Sequence, residues 1–145
     1  MLVIREMTWN DLDTVSVLEN EIFSVPWSKG GFAEALARPD TLYLVAAING
    51  RLVGYCGYLQ VLDEADIINV AVEKYYRGQG VAIRMLNSLL NYGKQQGIRA
   101  FTLEVRKSNK AAIHLYEKLG FIAAGMRKNF YEKPTEDAVI MWKRR

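Results

Sequence analysis

The amino-acid sequence predicts an α/β (α+β) fold: one domain over residues 1–145, with a mixed sheet of about seven strands flanked by about four helices. Three observations support this prediction. The pair Asn49-Gly50 separates two runs rich in β-branched and aromatic residues, which is a strong signal for an antiparallel hairpin. A strand, an amphipathic helix and a second strand follow one another over residues 66–106, and this order requires a right-handed crossover with a parallel pair. Half of the 145 residues are apolar, so the chain can build one sizeable core.

The segments predicted as strands are short, rich in β-branched or aromatic residues, and bounded by turn residues. Asn49-Gly50 and Asp63-Glu64 provide the turns that separate the second, third and fourth of them, so these early strands are expected to pair antiparallel. The predicted strands are residues 2–5, 41–48, 51–61, 66–72, 100–106, 121–124 and 138–143.

The segments predicted as helices carry apolar residues at a helical spacing. Thr8, Ser28 and Asn109 are suitable N-caps for three of them, while Gly97 and Gly120 are suitable stops. The third helix has the clearest inward stripe, formed by Ala82, Met85, Leu86, Leu89 and Leu90. The predicted helices cover residues 8–22, 28–38, 80–96 and 109–119.

Composition excludes several classes of protein. The formal net charge is +3 and the two signs are interspersed, so no extended nucleic-acid-binding stripe is expected. One cysteine and one histidine exclude an internal disulfide and argue against a zinc site, and Cys56 in an apolar run is expected to be a buried thiol. The sequence has neither a run long enough to cross a membrane nor the pattern of a secretory leader. We therefore expect a cytoplasmic protein, and we separately expect it to be a monomer.

The stretch Arg77-Gly78-Gln79-Gly80-Val81-Ala82 lies where an apolar strand gives way to the third helix. Glycines there let a ligand approach the backbone, and the free N–H groups of a helix start suit a phosphate. A P-loop would need Gly-Lys-Ser/Thr, and a dinucleotide fingerprint would need a small residue at Ile83 and a later carboxylate. The stretch therefore predicts a loop that binds a phosphorylated cofactor, although a turn that merely joins a strand to a helix is the alternative.

Three further residues are individually open to plain structural roles. Glu104 shares a strand face with Thr102 and Arg106, where it could be one half of an exposed ion pair. Asn109 could serve only as a helix N-cap. Tyr116 lies on an apolar helical stripe and could be a core tyrosine.

Taken together, these patterns resemble a known family. The spacing Arg-x-x-Gly-x-Ala is similar to the pyrophosphate loop of the GCN5-related N-acetyltransferases, and Asn109-x-x-Ala-x-x-x-Tyr116-x-x-x-Gly-Phe resembles their closing motif. The resemblance implies acetyl-CoA as cofactor, Glu104 as general base and Tyr116 as general acid. Direct transfer requires no covalent enzyme intermediate, so no nucleophilic role is assigned to Cys56, and a ping-pong scheme through that cysteine is the alternative. The cofactor-binding residues that it implies are Val70, Ala71, Val72, Arg77, Gly78, Gln79, Gly80, Val81, Ala82, Ile83, Asn109 and Tyr116.

Segments over nearly the whole chain are similar to the RimI branch of this family. The likeness implies that the acceptor is the N-terminal α-amine of a small-subunit ribosomal protein, most often alanine, and that Trp27, Tyr131 and Glu136 contact it. Val25 and Phe130 depart from the residues that the branch often has, on the acceptor side. Two alternatives remain open: acetylation of a small amine, and a coenzyme A-binding module without catalysis.

Overall fold

The computed structural model describes residues 1–144. The strands are β1 (Leu2–Glu6), β2 (Thr41–Ile48), β3 (Arg51–Val61), β4 (Glu64–Val72), β5 (Ala100–Arg106), β6 (Ile122–Tyr131) and β7 (Glu136–Arg144). The helices are α1 (Leu12–Ile22), α2 (Lys29–Ala37), α3 (Val81–Gln95) and α4 (Lys110–Lys118). Short 3-10 turns precede α1 at Trp9–Asp11 and lie between β4 and α3 at Lys74–Tyr76.

The strands form one seven-stranded sheet in the order β1-β2-β3-β4-β5-β7-β6. Every neighbouring pair is antiparallel except β4 and β5, which are parallel and joined through α3. This confirms the predicted mixed sheet with its single crossover, and the Asn49-Gly50 turn joins β2 to β3 as expected.

The parallel pair is short. β4 and β5 pair only from Glu64–Asp66 to Ala100–Thr102, after which the two strands are no longer partners. A bulge at Asn69, whose φ is 55°, accompanies a register shift between β3 and β4. The sheet therefore opens between the carboxyl ends of its two central strands, where ligands bind in open α/β sheets.

Helices cover both faces of the sheet. α1 and α2 pack on one face around Phe32, Tyr43 and Tyr55, while α3 and α4 pack on the other around Met85, Leu89 and Phe101. Both cores are built from the apolar stripes of the helices and the inward residues of the strands. No helix in the described part of the chain is long and apolar enough to cross a membrane.

Several element boundaries differ from the prediction, and two of them differ by more than two residues. α1 begins at Leu12 rather than at Thr8, because the Asp11 carboxylate accepts hydrogen bonds from the Thr8 backbone N–H and from the Arg5 guanidinium, and a 3-10 turn forms there first. β6 reaches Tyr131 instead of ending at residue 124. β6 is an edge strand exposed on both faces. Residues 125–131 therefore lack the alternation of apolar and polar side chains that marks a half-buried strand.

Candidate active site

The loop before α3 has the backbone expected of a phosphate site. Gly78 and Gly80 have φ values of 77° and 82°, in the left-handed region that glycine adopts without strain. A Cβ at either position would meet no atom within 4 Å, so the glycines are required by the backbone conformation and not by close packing. Gly80 is the N-cap residue of α3 and offers no side chain to the first turn, which leaves the N–H groups of Val81 to Ile83 available to an anion.

Charge near this loop is positive. Arg77 and Arg84 are exposed, and the Arg77 Nε donates to the carbonyl oxygen of Val72 at 3.0 Å. This contact ties the guanidinium to the end of β4, beside the first turn of α3. Gln79 donates to the carbonyl oxygen of Tyr75 at 3.2 Å, which braces the loop from within.

The gap between β4 and β5 places the backbone of residues 70–72 at an unpaired strand edge. On its other side β4 still pairs with β3, where Ala71 lies opposite Tyr55 and Val72 opposite Gly54. Strand edges present N–H and C=O groups that an extended ligand can pair with. This edge leads directly toward the glycine loop, so one extended molecule with a phosphate end can occupy both.

Glu104 lies on β5 beyond the point where the parallel pairing stops. Its side chain is 26% exposed and its Oε2 lies 3.3 Å from Nε of Arg127 on β6. The expected partner on its own strand, Arg106, contacts other groups instead. A carboxylate that is partly accessible and borders the gap can accept a proton from a bound amine.

Tyr116 is 7% exposed, and its ring packs against Phe121 with the centroids 6.0 Å apart. Burial, with smaller contributions from Tyr131 and Cys56, raises the pKa of the Tyr116 phenol. The hydroxyl therefore keeps its proton at neutral pH and can act as an acid. Cys56 is fully buried, and burial raises the pKa of its thiol, so it is not available as a thiolate nucleophile.

Asn109 caps α4: its Oδ1 accepts a hydrogen bond from the backbone N–H of Ala112 at 3.1 Å. This is the structural role that its position suggested. A contact with the cofactor arm remains a prediction.

On the acceptor side, Trp27 lies in the loop between α1 and α2 and is 37% exposed. Its ring packs against Phe32 and Tyr43, with centroid distances of 5.3 Å and 6.4 Å. One part of the indole thus closes the aromatic core and another part faces solvent. The geometry is compatible with both roles considered for it, a core plug and a peptide contact.

Tyr131 and Glu136 meet around Arg106. The guanidinium of Arg106 lies 4.5 Å from the centroid of the Tyr131 ring, and it also donates to the carbonyl oxygens of Glu132 and Pro134. Burial and the Glu104 carboxylate raise the pKa of Tyr131 to about 12. Tyr131 is thus held by Arg106, a residue of the strand that also carries the candidate base Glu104.

Both oxygens of Glu136 already have partners within the chain. Oε2 accepts from the Ser108 backbone N–H at 2.7 Å and Oε1 from Arg106 at 3.2 Å. Hydrogen bonds from Ser108, and then from Arg106, hold the pKa of this carboxyl below its usual value. Its contact with an acceptor stays a prediction, whereas its anchoring of the β6–β7 turn is observed.

The sequence suggested for Arg106 only a possible ion pair with Glu104, and it pointed to no role for Arg127, Glu19 or Asn69. Glu19 had a usable signal, because a glutamate between Val15 and Ile22 falls on the inward stripe of α1. Arg127 had none, since its approach to Glu104 depends on β7 lying between β5 and β6. Among residues 1–144, no group of three or more His, Cys, Asp or Glu side chains is arranged to hold a metal ion.

Comparison with known families gives a direct match. Residues 12–121 match the model of the Acetyltransferase (GNAT) family. A relative from Bacillus subtilis (strain 168) is 41% identical over 140 residues, which cover 96% of this chain and 93% of that one, and its name provisionally assigns it alanine N-acetylation of ribosomal protein bS18. A relative from Escherichia coli (strain K12) is named ribosomal protein bS18-alanine N-acetyltransferase. It is 36% identical over 145 residues, and the match covers 97% of this chain and 96% of that one.

Solved structures agree with these relatives. The crystal structure of the ribosomal-protein-S18-alanine N-acetyltransferase from Escherichia coli superposes with a TM-score of 0.92 at 35% identity, covering 99% of this chain and 94% of that one. A structure from Bacillus anthracis str. Ames, provisionally named as a streptothricin acetyltransferase in complex with acetyl coenzyme A, has a TM-score of 0.82 at 22% identity. The match covers both chains in full and shows a shared fold.

Proposed function

Because the chain belongs to the GNAT acetyltransferase family and is an acetyl-CoA-dependent N-acetyltransferase, we propose that its acceptor is the N-terminal α-amine of a protein, namely the N-terminal alanine of a small-subunit ribosomal protein. The relatives that are 41% and 36% identical over nearly the whole chain carry names with this specificity. The same comparison supports an acceptor that is a protein and not a small amine or an antibiotic.

The structural observation that supports acetyl transfer at this site is the opening between β4 and β5. It joins the glycine loop at one end to Glu104 on the other strand. Acetyl-CoA, when bound, supplies an acetyl group activated as a thioester. We propose that Gly78 to Ile83 and Arg77 hold its diphosphate and that the edge at Val70 to Val72 pairs with its arm, while Asn109 and Tyr116 contact it from α4.

The chemistry assigned to the side chains is proton transfer. An α-amine has a pKa of roughly 7.7–8.0, so much of it is protonated at neutral pH and must lose a proton before it attacks. Glu104 accepts that proton directly or through a water molecule. The proposed route includes no covalent bond between the enzyme and the acetyl group. Tyr116 donates its phenolic proton to the departing sulfur. A thiol has a pKa of about 8.5, so modest acid assistance is sufficient.

On the acceptor side we propose that the acceptor peptide enters between the loop that carries Trp27 and the end of β6 that carries Tyr131. Trp27 offers a partly exposed indole, and the Tyr131 ring contacts the guanidinium of Arg106, a residue of the strand that also carries the candidate base. Functional contacts concentrate in loops held by a rigid scaffold. Glu136 contributes by holding the turn between β6 and β7 in place through its hydrogen bonds from Arg106 and Ser108.

An assay of purified protein with acetyl-CoA tests the acceptor. A peptide that begins with alanine and contains an internal lysine should be acetylated at its α-amine, while the same peptide with a blocked α-amine should be inert. Polyamines and aminoglycosides form the comparison panel. Turnover on these small amines, with none on peptides, would overturn the proposal; binding of acetyl-CoA without turnover on any acceptor would indicate a non-catalytic module.

The natural substrate requires a cellular test. Mass spectrometry of ribosomal proteins from cells that lack this chain should show one small-subunit protein without its N-terminal acetyl group. A fully acetylated set of ribosomal proteins in those cells would place the substrate elsewhere.

A further inference from the structure

Glu19 is a buried carboxylate that the chemistry described above does not use. The residue is 2% exposed on α1, and its hydrogen-bond partners within residues 1–144 are neutral groups, with no lysine or arginine among them. Removing a carboxylate from water without a cationic partner is expensive in free energy. An apolar side chain at this point of the α1 stripe would satisfy packing alone, so the polar carboxyl group with its two acceptor oxygens needs another explanation.

Its hydrogen bonds connect two separate parts of the active site. Oε2 accepts from the backbone N–H of Trp27 at 3.0 Å and, in a longer contact, from Nδ2 of Asn69 at 3.5 Å. Oε1 accepts from the Tyr55 hydroxyl at 2.8 Å. The Tyr43 hydroxyl donates to Oδ1 of Asn69 at 3.0 Å and completes the network.

The two connected parts have different proposed tasks. Trp27 belongs to the loop proposed to contact the acceptor, whereas Asn69 is the bulge residue of β4 immediately before Val70 to Val72, the segment proposed to pair with the cofactor arm. The left-handed conformation of Asn69 directs its side-chain amide into this network instead of leaving β4 a regular strand.

We propose that Glu19 is a positioning residue, which fixes the acceptor loop at Trp27 relative to the cofactor strand at Asn69. This inference rests on the proposed function, because it assigns a purpose to the distance between those two sites. One carboxylate can accept from donors on both elements at once, and a shift of about 1 Å between reacting groups is enough to slow a reaction strongly. Burial, followed by the charge of Glu19, raises the pKa of Tyr43 and of Tyr55, so both hydroxyls remain donors to the network.

Two substitutions of Glu19 distinguish a role of its hydrogen bonds from a role of its buried side chain in packing alone. In Glu19→Gln the amide oxygen can accept from Trp27 and Asn69, while the amide nitrogen donates to a rotated Tyr55 hydroxyl. We expect this variant to keep kcat/KM for the peptide within about threefold. Glu19→Ala should lower it by about tenfold to a hundredfold at a temperature where the protein is folded, with the Kd of acetyl-CoA unchanged. Glu21→Ala, an exposed glutamate on the same helix, is the matched control.

A second readout needs no acceptor. With Trp9 and Trp142 replaced by phenylalanine, the fluorescence anisotropy of Trp27 reports the order of its loop. Glu19→Ala should lower that anisotropy and Glu19→Gln should not. An inert wild type would defeat the proposed function while leaving this structural result readable.

The positioning role is overturned if folded Glu19→Ala keeps wild-type turnover and anisotropy, or if Glu19→Gln is as damaging as alanine, which would assign the effect to charge. If the alanine variant does not fold, Asn69→Gly replaces it. Glycine tolerates the φ of 55° and removes only the amide link. This variant should lower kcat/KM by about tenfold, and wild-type activity in it would equally contradict the proposal.

Discussion

At the scale of single residues, Glu104 is the side chain on which the proposed reaction depends most. Its carboxylate borders the gap between β4 and β5 and is accessible enough to meet an amine. Glu104→Gln should lower kcat by about a hundredfold to ten-thousandfold, because the amide cannot accept a proton. The rate of the variant should recover partly as the pH rises through roughly 7.7–8.0, where the α-amine deprotonates by itself. Steady-state kinetics from pH 6 to pH 9.5 measure both effects.

The matched control is Glu117→Gln, at an exposed position of α4. It removes one negative charge at a position outside the gap, so its kcat should equal that of the wild type. Full activity in Glu104→Gln at pH 7 would remove Glu104 from the mechanism.

Tyr116 allows a milder test of acid assistance. Phenylalanine retains the ring that packs on Phe121 and removes only the hydroxyl. Tyr116→Phe should lower kcat by about tenfold to a hundredfold, with little change in stability. Because burial raises the pKa of this phenol, its acid form persists through neutral pH and above, so the wild type should show no alkaline loss of kcat from this group below about pH 10. A falling alkaline limb near pH 8 that disappears in Tyr116→Phe would contradict this.

Arg127 is the present partner of the candidate base. Its side chain is 59% exposed, so the ion pair contributes at most about 1 kcal/mol. The guanidinium also places a positive charge where a cationic amine must arrive. Arg127→Met should therefore lower KM for the peptide by up to about fivefold, whereas Lys128→Met at the neighbouring exposed position should not. An increase of KM in Arg127→Met would show that the arginine assists the acceptor.

Residues with a fixed spacing along the chain could be predicted from the sequence, and residues that meet only through the sheet could not. Gly78 and Gly80 lie in the loop between β4 and α3 where their motif predicted one, and Asn109 caps its helix. The contact of Arg127 with Glu104 joins strands that are not consecutive in the chain, and no local pattern encodes it. The links from Glu19 to Tyr55 and Asn69 span 36 and 50 residues, so they too are set by the tertiary fold.

At the scale of elements, the turn into α3 can be tested with two glycines that share a conformation. Gly80→Ala adds a Cβ in open space but at a φ of 82°, which costs about 1–2 kcal/mol. The loop either keeps that strain or relaxes and misaligns its N–H donors. The Kd of acetyl-CoA, measured by calorimetry, should rise by about fivefold to thirtyfold.

Gly97→Ala is the control for that experiment. Gly97 has a φ of 83° and also faces open space, but it lies beyond the opposite end of α3. Its replacement should lower the melting temperature by an amount similar to that of Gly80→Ala and leave the Kd unchanged. Equal loss of affinity in the two variants would mean that the affinity falls through stability and not through the loop.

Strong local signals determined which elements could be located. β2 and β3 have the bounds that their composition and the Asn49-Gly50 turn predicted. β6 is longer than predicted because residues 125–131, with Arg127, Lys128 and Asn129 at their centre, lie on an exposed edge, where pairing with β7 and not hydrophobic alternation maintains the strand. An edge strand of this kind is defined by its neighbour, which a single sequence does not reveal.

At the scale of the whole molecule, the close packing of α3 against the sheet depends on Gly93. A Cβ at Gly93 would lie 2.5 Å from the Phe101 ring, which is too close without movement of one of them. Gly93→Ala should lower the free energy of unfolding by about 1–3 kcal/mol through overpacking, despite the gain of about 1 kcal/mol in helix propensity. Denaturation by urea measures the difference.

The double variant Gly93→Ala/Phe101→Leu identifies the cause. A smaller side chain at residue 101 makes room for the new methyl group, so the two changes together should cost less than the sum of the single ones. Strict additivity would mean that the Phe101 contact is not responsible.

The short pairing of β4 with β5 has a consequence for how the molecule holds together. Four strands lie on one side of that seam and three on the other, and backbone pairing across it involves only three residues of each strand. A cofactor lying along the open edge would add contacts that link the two halves of the sheet. Occupancy would then tighten the protein itself, and amides near the seam would exchange with solvent more slowly as the ligand concentration rises.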